Sequence, residues 1–318
     1  MKFTAAFAVG LALAGVLSAA PALALNQHSF VSSQGNDANA CTLAAPCRHL
    51  QAALAATIAG GEIAVLDTAG YNGGATVTIT QAVSIVNPGG FEAAIAPPSG
   101  GVGIIINAGA NDAVSLRGLS IDGAGVGQVG ILFNTGASLT VENCIVRHMT
   151  DTGIIFQSTT ATSAFTVSNS LVADNGDGGI FVGPTGSATA VFKRVEANNN
   201  LGNGIQLYGF SSAGTNSINA TVSESVAAGN GEGGFFSRTQ SGNAPTSLMV
   251  FHSVSANNQF GVSTIGSGAT IRLANSTVTG NTSQGWSAAT GGVVASYGDN
   301  YIDGNAGNGG SLTAISKQ

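Results

Sequence analysis

A short unit repeats along most of this chain, and it limits the possible folds more than any other feature. In each copy, a turn rich in Asn and Gly ends in a glycine that precedes an apolar residue, at intervals of 23 to 30 residues. The copies are Gly130-Ile131, Gly153-Ile154, Gly179-Ile180, Gly204-Ile205, Gly234-Phe235, Gly261-Val262 and Gly285-Trp286. Such a unit is too short to bury its own apolar face, so its copies must stack on one another.

Two further apolar segments in each unit narrow the choice of fold. A strand-like segment such as Phe165-Thr166-Val167 and a shorter one such as Leu171-Val172 lie between consecutive turns. Three short strands and three turns in about 25 residues predict one coil of a parallel β-helix, with equivalent residues about 4.8 Å apart. Leucine-rich repeats need a strict Leu frame, propeller blades are longer, and the hexapeptide period of a left-handed β-helix is absent. We therefore predict an all-β, right-handed parallel β-helix of about nine to ten coils over residues 62–318.

The composition supports this fold and excludes several classes of partner. Apolar residues make up 44% of the chain and there are 47 glycines, which suits many short strands joined by tight turns. Charged residues are only 8% of the chain, and the net charge is −6. This charge pattern predicts neither nucleic-acid binding nor a basic membrane-binding surface.

Residues 1–24 are predicted to be a signal peptide. Lys2 gives a basic start, an uncharged apolar run extends from Phe7 to Leu17, and Ala22-Leu23-Ala24 resembles a cleavage site. A membrane anchor is the alternative, but the run is short for a bilayer span and is followed by Pro21. We therefore expect a secreted or periplasmic protein with no membrane span after cleavage.

Residues 25–61 are predicted to form an N-terminal cap. Cys41 and Cys47 bracket a short loop, and in an oxidising compartment we expect them to form a disulfide. A metal pair is the alternative, although no further Cys or His lies at ligand spacing. Pro46 then opens a predicted amphipathic helix that ends at Gly60-Gly61 and covers the exposed edge of the first coil. Its apolar face is formed by Leu50, Ala53, Leu54, Thr57 and Ile58.

The repeat and the entry segment together carry a resemblance to known proteins. The repeat resembles that of the right-handed parallel β-helix proteins of the pectin-lyase-like superfamily. The segments Phe30-Val31-Ser32, Gly35-Asn36-Asp37 and Pro46-Cys47-Arg48 resemble the start of exported bacterial β-helix proteins of unknown function. The resemblance covers nearly the whole mature chain and implies its fold. It does not imply one activity, since the superfamily includes lyases, hydrolases, epimerases, adhesins and phage tailspikes.

The catalytic motifs that this resemblance would imply are missing from the sequence. Galacturonan hydrolases of this fold resemble one another in Asn-Thr-Asp, Asp-Asp, Gly-His-Gly and Arg-Ile-Lys, and alginate epimerases carry Asp-Pro-His-Asp; none of these occurs here. Polysaccharide lyases of this fold need a calcium-binding carboxylate cluster and a basic residue that removes a sugar proton. The sequence therefore contains no standard catalytic site.

One group of polar residues is nevertheless a candidate catalytic site. Aligning the coils on their Gly-apolar pairs places Arg147 next to Asp174, with Asp122 one coil before and Asp151 in the same turn as His148. A patch of Arg, His and carboxylates can bind or deprotonate an acidic sugar. The alternative is an ion pair in a turn with an exposed histidine. The same alignment places His148 beside a column predicted to form a hydrogen-bonded ladder: Asn175, Asn199, Asn230, Asn258, Asn281 and Asn305.

Asp174 and Asp177 lie in a glycine-rich turn that resembles part of a calcium loop. The closing Glu and other ligands of such a loop are absent. We therefore predict no cofactor and no metal site, with calcium as the weaker alternative.

A second candidate surface follows from strand alternation. If Ile131, Ile154, Ile180, Ile205 and Phe235 face inward, the next residue of each strand faces outward: Leu132, Ile155, Phe181, Gln206 and Phe236. The longest loops after these strands cover residues 208–219 and 238–247. They either cover the apolar column or form the wall of a groove in which aromatic rings stack on sugars. The predicted ligand-binding residues are Phe181, Gln206, Tyr208, Phe210, Phe236 and Arg238.

Taken with the fold, these patterns favour an exported protein that recognises an extended polysaccharide along one face. Equivalent residues of a β-helix repeat at fixed spacing along a straight axis, as such a ligand requires. The alternatives are a polysaccharide lyase or glycoside hydrolase with an unfamiliar site, and a surface adhesin or structural protein. The sequence does not indicate an oligomeric state.

Overall fold

A computed structural model describes residues 25–310 and 312–317. The predicted signal segment, residues 1–24, lies outside the described residues. The described chain is a right-handed parallel β-helix of about nine coils with one short helix, which confirms the predicted fold.

The elements of the first half are β1 (Asn26–Val31), α1 (Leu50–Ala56), β2 (Thr57–Val65), β3 (Ala69–Gly70), β4 (Val77–Ile79), β5 (Val83–Val86), β6 (Ala93–Ile95), β7 (Val102–Asn107), β8 (Ala113–Arg117), β9 (Leu119–Asp122), β10 (Val129–Thr135), β11 (Ser138–Glu142), β12 (Ile145–Arg147), β13 (Ile154–Phe156) and β14 (Thr162–Ala173). Those of the second half are β15 (Ile180–Val182), β16 (Ser187–Asn198), β17 (Ile205–Tyr208), β18 (Ile218–Ser223), β19 (Val226–Ala228), β20 (Gly233–Arg238), β21 (Thr246–Phe251), β22 (Val254–Ala256), β23 (Phe260–Ile265), β24 (Ala269–Ala274), β25 (Thr277–Thr279), β26 (Gln284–Ala289), β27 (Val293–Ser296), β28 (Tyr301–Asp303) and β29 (Thr313–Ala314).

The strands form two sheets, and every named strand pairing is parallel. One sheet has nine strands in the order β4, β7, β10, β13, β15, β17, β20, β23 and β26, so each coil contributes one strand. The other sheet has 20 strands, because the long strands β14 and β16 run around a bend and join two ladders into one. Most coils therefore follow the predicted pattern of three short strands separated by turns, and in two coils two of these strands merge into β14 and β16.

Inward-facing side chains form one continuous core along the axis. The rings of Phe133 and Phe156 stack with centroids 4.7 Å apart, and Phe165 continues the stack at 4.9 Å. Columns of Ile, Leu and Val fill the remaining interior. Each coil buries its apolar side chains against both neighbours, so stability comes mainly from the contact between coils.

A buried asparagine ladder joins successive coils at the turn before the nine-stranded sheet. Asn175 Nδ2 donates to Asn200 Oδ1 at 2.8 Å, and Asn200 Nδ2 donates to Asn230 Oδ1 at 3.0 Å. The complete ladder is Asn175, Asn200, Asn230, Asn258, Asn281 and Asn305. The ladder was predicted, but its assignment to Asn199 is wrong by one residue. Asn199 is exposed and has a φ of 55°, in the left-handed position that Asp174 occupies one coil earlier.

The ladder also explains the glycine that precedes each apolar residue of the repeat. A Cβ atom on Gly204 would lie 2.7 Å from the carbonyl oxygen of Gly234 and 3.0 Å from Asn230 Nδ2. A Cβ on Gly179 would lie 2.6 Å from the carbonyl oxygen of Gly204. The glycine is needed because the backbone of the next coil approaches this position closely.

A column of serines, which the sequence reasoning missed, joins coils at the bend within the larger sheet. The N–H of Ser225 donates to Ser253 Oγ at 3.2 Å, and the N–H of Ser253 donates to Ser276 Oγ at 3.1 Å. Each of these serines follows a residue with positive φ: Glu224, His252 and Asn275. The sequence signal was a Ser at one fixed point of four coils, at Ser170, Ser225, Ser253 and Ser276.

The helix at the N-terminal end is shorter than predicted. Helix α1 ends at Ala56 and Thr57 begins β2, so the assignment of Thr57 and Ile58 to the helix is wrong. Thr57 pairs with Asn26 of β1, and its carbonyl oxygen accepts a hydrogen bond from Gln81 Nε2 at 2.9 Å. These partners hold a β-branched residue in a strand, which suits its side chain. Strand β2 also crosses the predicted boundary between cap and β-helix.

The helix lies at the first edge of the nine-stranded sheet. Gln51 Oε1 accepts the N–H of Thr78 at 2.9 Å, and Gln51 Nε2 donates to the Thr78 carbonyl oxygen at 3.3 Å. A side-chain amide thus satisfies the backbone of β4 where a preceding strand would otherwise pair. Cys41 and Cys47 form the predicted disulfide, with their Cα atoms 4.6 Å apart.

Candidate functional site

The outward side of the nine-stranded sheet, here called the outer face, has the alternation predicted from the sequence. The inward residues Ile131, Ile154, Ile180, Ile205 and Phe235 are buried. The residues that follow them are half-buried and lie in one column, with Phe181 in register with Ile155 and Gln206, and Gln206 with Phe236. The outer face therefore presents an apolar column interrupted by one amide.

Aromatic side chains converge in the middle of this face. The Phe181 and Tyr208 ring centroids are 5.5 Å apart, and those of Tyr208 and Phe210 are 4.7 Å apart. Arg238 Cζ lies 4.8 Å from the Phe210 ring centroid, in a cation-π contact. The Phe181 ring lies over Gly183, where a Cβ would be 2.4 Å from its Cε1 atom. Four of the six predicted ligand-binding residues thus form one cluster across three coils.

The two long loops lie against each other beside this aromatic cluster. Ala213 and Asn243 form an antiparallel bridge, and Asn243 Nδ2 donates to the carbonyl oxygen of Phe210 at 2.8 Å. Phe210 packs against Tyr208, whereas Phe181, Gln206 and Phe236 stay half-exposed. The loops therefore border the outer face rather than cover it. A cleft of about 300 Å³ adjoins them, lined in part by Phe236, Arg238, Gln259 and Ser263.

An amide column, which the sequence reasoning missed, extends the aromatic cluster toward the N-terminal coils. Asn134 Nδ2 donates to Asn107 Oδ1 at 2.9 Å, and Gln157 Nε2 donates to Asn134 Oδ1 at 3.1 Å. Continuing the strand register, Gln157 is followed in the next coils by Gly183 and Tyr208. The signal in the sequence was an amide two positions after an outward apolar residue in three coils, at Asn107, Asn134 and Gln157. Amides, aromatic rings and Arg238 thus form one column over six coils.

The candidate catalytic residues form a smaller cluster at the corner before the outer face. Asp122 Oδ2 accepts from Arg147 Nε at 2.9 Å, and Asp122 Oδ1 lies 3.0 Å from His148 Nδ1. Burial opposes ionisation of Asp122, but hydrogen bonds from the Ala124 N–H, His148 and Arg147 outweigh it and lower the pKa of this carboxyl. The three predicted residues Asp122, Arg147 and His148 are therefore in direct contact.

The other two candidate catalytic residues lie differently from the prediction. Arg147 is in register with Ala173, so the residue level with Asp174 is His148 and not Arg147. His148 and Asp174 both line a shallow groove of about 520 Å³. Asp151 makes its side-chain contacts with Gln128 and Thr152, outside the Asp122 cluster.

Asp151 lies instead beside the second carboxylate of the calcium-like turn. The N–H of Asp177 donates to the Asp151 carbonyl oxygen at 3.0 Å, and burial together with the Asp151 charge raises the pKa of Asp177. Asp174 faces the His148 groove, so the two carboxylates of the turn belong to different columns. Within the described residues, no three His, Cys, Asp or Glu side chains converge as metal ligands. Calcium binding in this turn stays a prediction.

A match to a protein family defines the class of this protein. The family described as right handed beta helix region matches residues 102–278, more than half of the chain. The chain belongs to this family. Across residues 25–310 and 312–317, no helix is long and apolar enough to cross a membrane.

Three solved structures are similar to this chain. Pectate lyase Pel9A is similar over 92% of this chain and 79% of its own, with 18% identity and a TM-score of 0.58. The A-module of the mannuronan C-5 epimerase AlgE4 from Azotobacter vinelandii is similar over 81% of this chain and 91% of its own, with 14% identity and a TM-score of 0.43. An alginate lyase from Paenibacillus sp. is similar over 89% of this chain and 100% of its own, with 14% identity and a TM-score of 0.46. At such identities a likeness shows the fold alone. No curated protein sequence matches the chain significantly.

Proposed function

We propose that this protein binds an extended polysaccharide along its outer face. The observation that carries the proposal is the continuous column of Asn107, Asn134, Gln157, the Phe181 ring, Tyr208 and Arg238. Aromatic rings offer flat surfaces to the apolar faces of sugars, and side-chain amides bond to sugar hydroxyls. The column runs parallel to the axis, with equivalent groups about 4.8 Å apart, and spans about 24 Å over its six coils.

The position of this column supports binding by an ordered surface rather than by a flexible loop. Phe181 and Tyr208 project from paired strands, and Phe210 is held by the contact between its loop and Asn243. Groups that are fixed before binding lose little side-chain entropy when the ligand arrives. Pel9A, a pectate lyase by name, has the same fold. Since disulfides persist in oxidising compartments, the Cys41–Cys47 bond supports a secreted or periplasmic location for this proposal.

Affinity electrophoresis with soluble pectate, alginate and a neutral glucan tests the proposal. We expect one or more of these polymers to retard the protein, and Phe181→Ala or Tyr208→Ala to weaken binding by about threefold to tenfold, from the loss of one stacking contact. Tyr301→Ala is the matched control, because Tyr301 is 74% exposed and lies in the other sheet. Retardation that Phe181→Ala and Tyr208→Ala leave unchanged would contradict the proposal, and absence of retardation by any polymer would favour a structural or adhesive role.

The contact between Asp122 and His148 favours a second candidate function, proton transfer on a bound sugar. A carboxylate that holds His148 Nδ1 fixes the ring and leaves Nε2 available as a general base or acid. Incubation with the same polymers, followed by assays for unsaturated and for reducing ends, separates lyase from hydrolase activity. We expect His148→Gln to abolish any such turnover; a variant that keeps the full rate would exclude this cluster.

A further inference from the structure

The outward side of the larger sheet changes character near the C-terminal end. One column of outward residues holds only short side chains over five coils: Ser115, Thr140, Thr166, Val191 and Thr221. The next two positions of the same column are Met249 and Arg272. Two long side chains therefore replace short ones in consecutive coils, and core packing does not require them because both project from the surface.

These side chains line a groove of about 830 Å³ on the larger sheet, whereas the aromatic cluster lies on the nine-stranded sheet. Its walls include Met249, Phe251, Arg272, Tyr297 and Ile315. The last described segment forms one side of it. The N–H of Ile315 donates to the Ser296 carbonyl oxygen at 3.0 Å, and Lys317 Nζ contacts Asp299 Oδ2 at 2.9 Å. The groove is thus bounded by the sheet and by a strand-like segment that crosses its end.

Arg272 supplies this groove with an unbalanced positive charge. Its only side-chain hydrogen bond in the described chain is from Nη1 to Ser247 Oγ, at 2.7 Å, and no described carboxylate lies within ion-pair distance. The Lys317 charge, by contrast, is neutralised by Asp299. A half-buried guanidinium has five N–H donors, and its planar fork matches a carboxylate. The groove therefore favours a ligand with a single negative charge.

Apolar and aromatic side chains line the groove beside the polar residues Asn275, Asp299, Ser316 and Lys317. Phe251 is 39% exposed and lies stacked on His252, with ring centroids 3.9 Å apart. Met249 and Ile315 are half-buried, and the aromatic ring of Tyr297 completes the lining. Exposed apolar groups beside the unpaired charge of Arg272 suit a ligand that joins an apolar ring to an anion. We propose that this groove binds an aryl carboxylate, with the carboxylate on Arg272 and the ring against Phe251, Tyr297 and Met249.

Titration of the full chain with three small probes, followed by NMR or calorimetry, tests this proposal. Benzoate carries both ring and charge, acetate carries the charge alone, and benzyl alcohol carries the ring alone. We expect benzoate to bind at least about tenfold more tightly than either single-feature probe, since two kinds of contact contribute. Equal affinity for benzoate and acetate, or no binding of benzoate, would overturn the proposal.

Two arginine variants make the test specific to this groove. Arg272→Gln should weaken benzoate binding by about tenfold or more, because a charge-assisted hydrogen bond is lost. Arg117→Gln, which removes a cation of the same sheet that is paired with Glu142 and lies outside the groove, should leave benzoate affinity unchanged. Arg272→Lys keeps the charge without the planar fork and should give an intermediate affinity. Unchanged benzoate affinity in a folded Arg272→Gln variant would refute the assignment. We expect this variant to bind polysaccharide as the wild type does, because Arg272 lies outside the outer face.

Discussion

The asparagine ladder makes a prediction that distinguishes two adjacent residues of the same type. Asn200 is buried, and its side chain makes four hydrogen bonds. Two of them are accepted from the N–H and Nδ2 of Asn175, and two are donated to Asn230 Oδ1 and the Val172 carbonyl oxygen. Asn199, one residue earlier, is exposed and its side chain has no hydrogen bond within the described chain. We predict that alanine at these two positions will have very different effects on stability.

The expected magnitudes follow from these contacts. Asn200→Ala leaves two buried donors of Asn175 without an acceptor, each at about 1 to 3 kcal/mol, so the free energy of unfolding should fall by about 2 to 6 kcal/mol. Asn199→Ala removes no side-chain hydrogen bond, but it places alanine at a φ of 55°, which alanine tolerates less well than asparagine. That change should cost about 1 kcal/mol. Asn199→Gly should be close to neutral, because glycine adopts this backbone conformation freely.

Urea denaturation followed by circular dichroism measures the difference. The midpoints of the three variants should rank with Asn200→Ala lowest, and the slope should stay near that of the wild type if the same surface is exposed on unfolding. If Asn199→Ala shifts the midpoint as far as Asn200→Ala, the register of the ladder described here is wrong.

Two other predictions concern the packing between coils and the N-terminal cap. Gly204→Ala should destabilise the fold by about 1 to 3 kcal/mol, because the added Cβ overpacks the contact with the next coil. Gly178→Ala is the control and should change the denaturation midpoint little, since the nearest atom to its added Cβ would be 3.5 Å away. Similar losses in the two variants would contradict the close approach of the next coil at Gly204. Burial of Asp67 opposes its ionisation, but hydrogen bonds from Tyr71, Ser32 and Ser33 lower its pKa to about 2. Because this pKa is lower in the folded state, the ionised carboxylate stabilises the fold above the unfolded pKa of about 3.9, and this stabilisation is lost as the pH falls toward 2. The free energy of unfolding of the wild type should therefore fall by about 1 kcal/mol between pH 5 and pH 2.5, after solvent screening is allowed for. Asp67→Asn should remove this part of the pH dependence, and an unchanged profile would show that Asp67 is not its source.

The sequence was sufficient for the fold because the repeat controls it. Gly204-Ile205 and its equivalents fix where each coil turns inward, and the structure confirms this alternation. The error at Asn199 arose because three asparagines, residues 198–200, are consecutive and asparagine readily occupies a left-handed turn. Only the pairing with the next coil selects Asn200. Similarly, Thr57 and Ile58 fit a helical period, but pairing with β1 places them in a strand.

The candidate sites were predictable only in part, because they depend on contacts between coils and loops. The alternation of inward and outward residues along each strand placed Phe181 and Gln206 on the outer face. The position of Arg238 over Phe210 depends on the contact between two loops, for which the sequence has no repeat signal. Arg147 and His148 were expected near Asp122, but only the strand register shows that His148, and not Arg147, is level with Asp174 of the next coil. Arg272 was missed because the groove around it is completed by a segment more than 40 residues later.

The pairing of Gln51 with Thr78 gives the two ends of this molecule different capacities for assembly. A side-chain amide already occupies the donor and acceptor that a foreign strand would use to extend the nine-stranded sheet from β4. Another chain therefore cannot continue the solenoid from that end without first displacing the helix. Growth into a fibre needs two compatible ends, so this one glutamine opposes end-to-end extension of the nine-stranded sheet at β4.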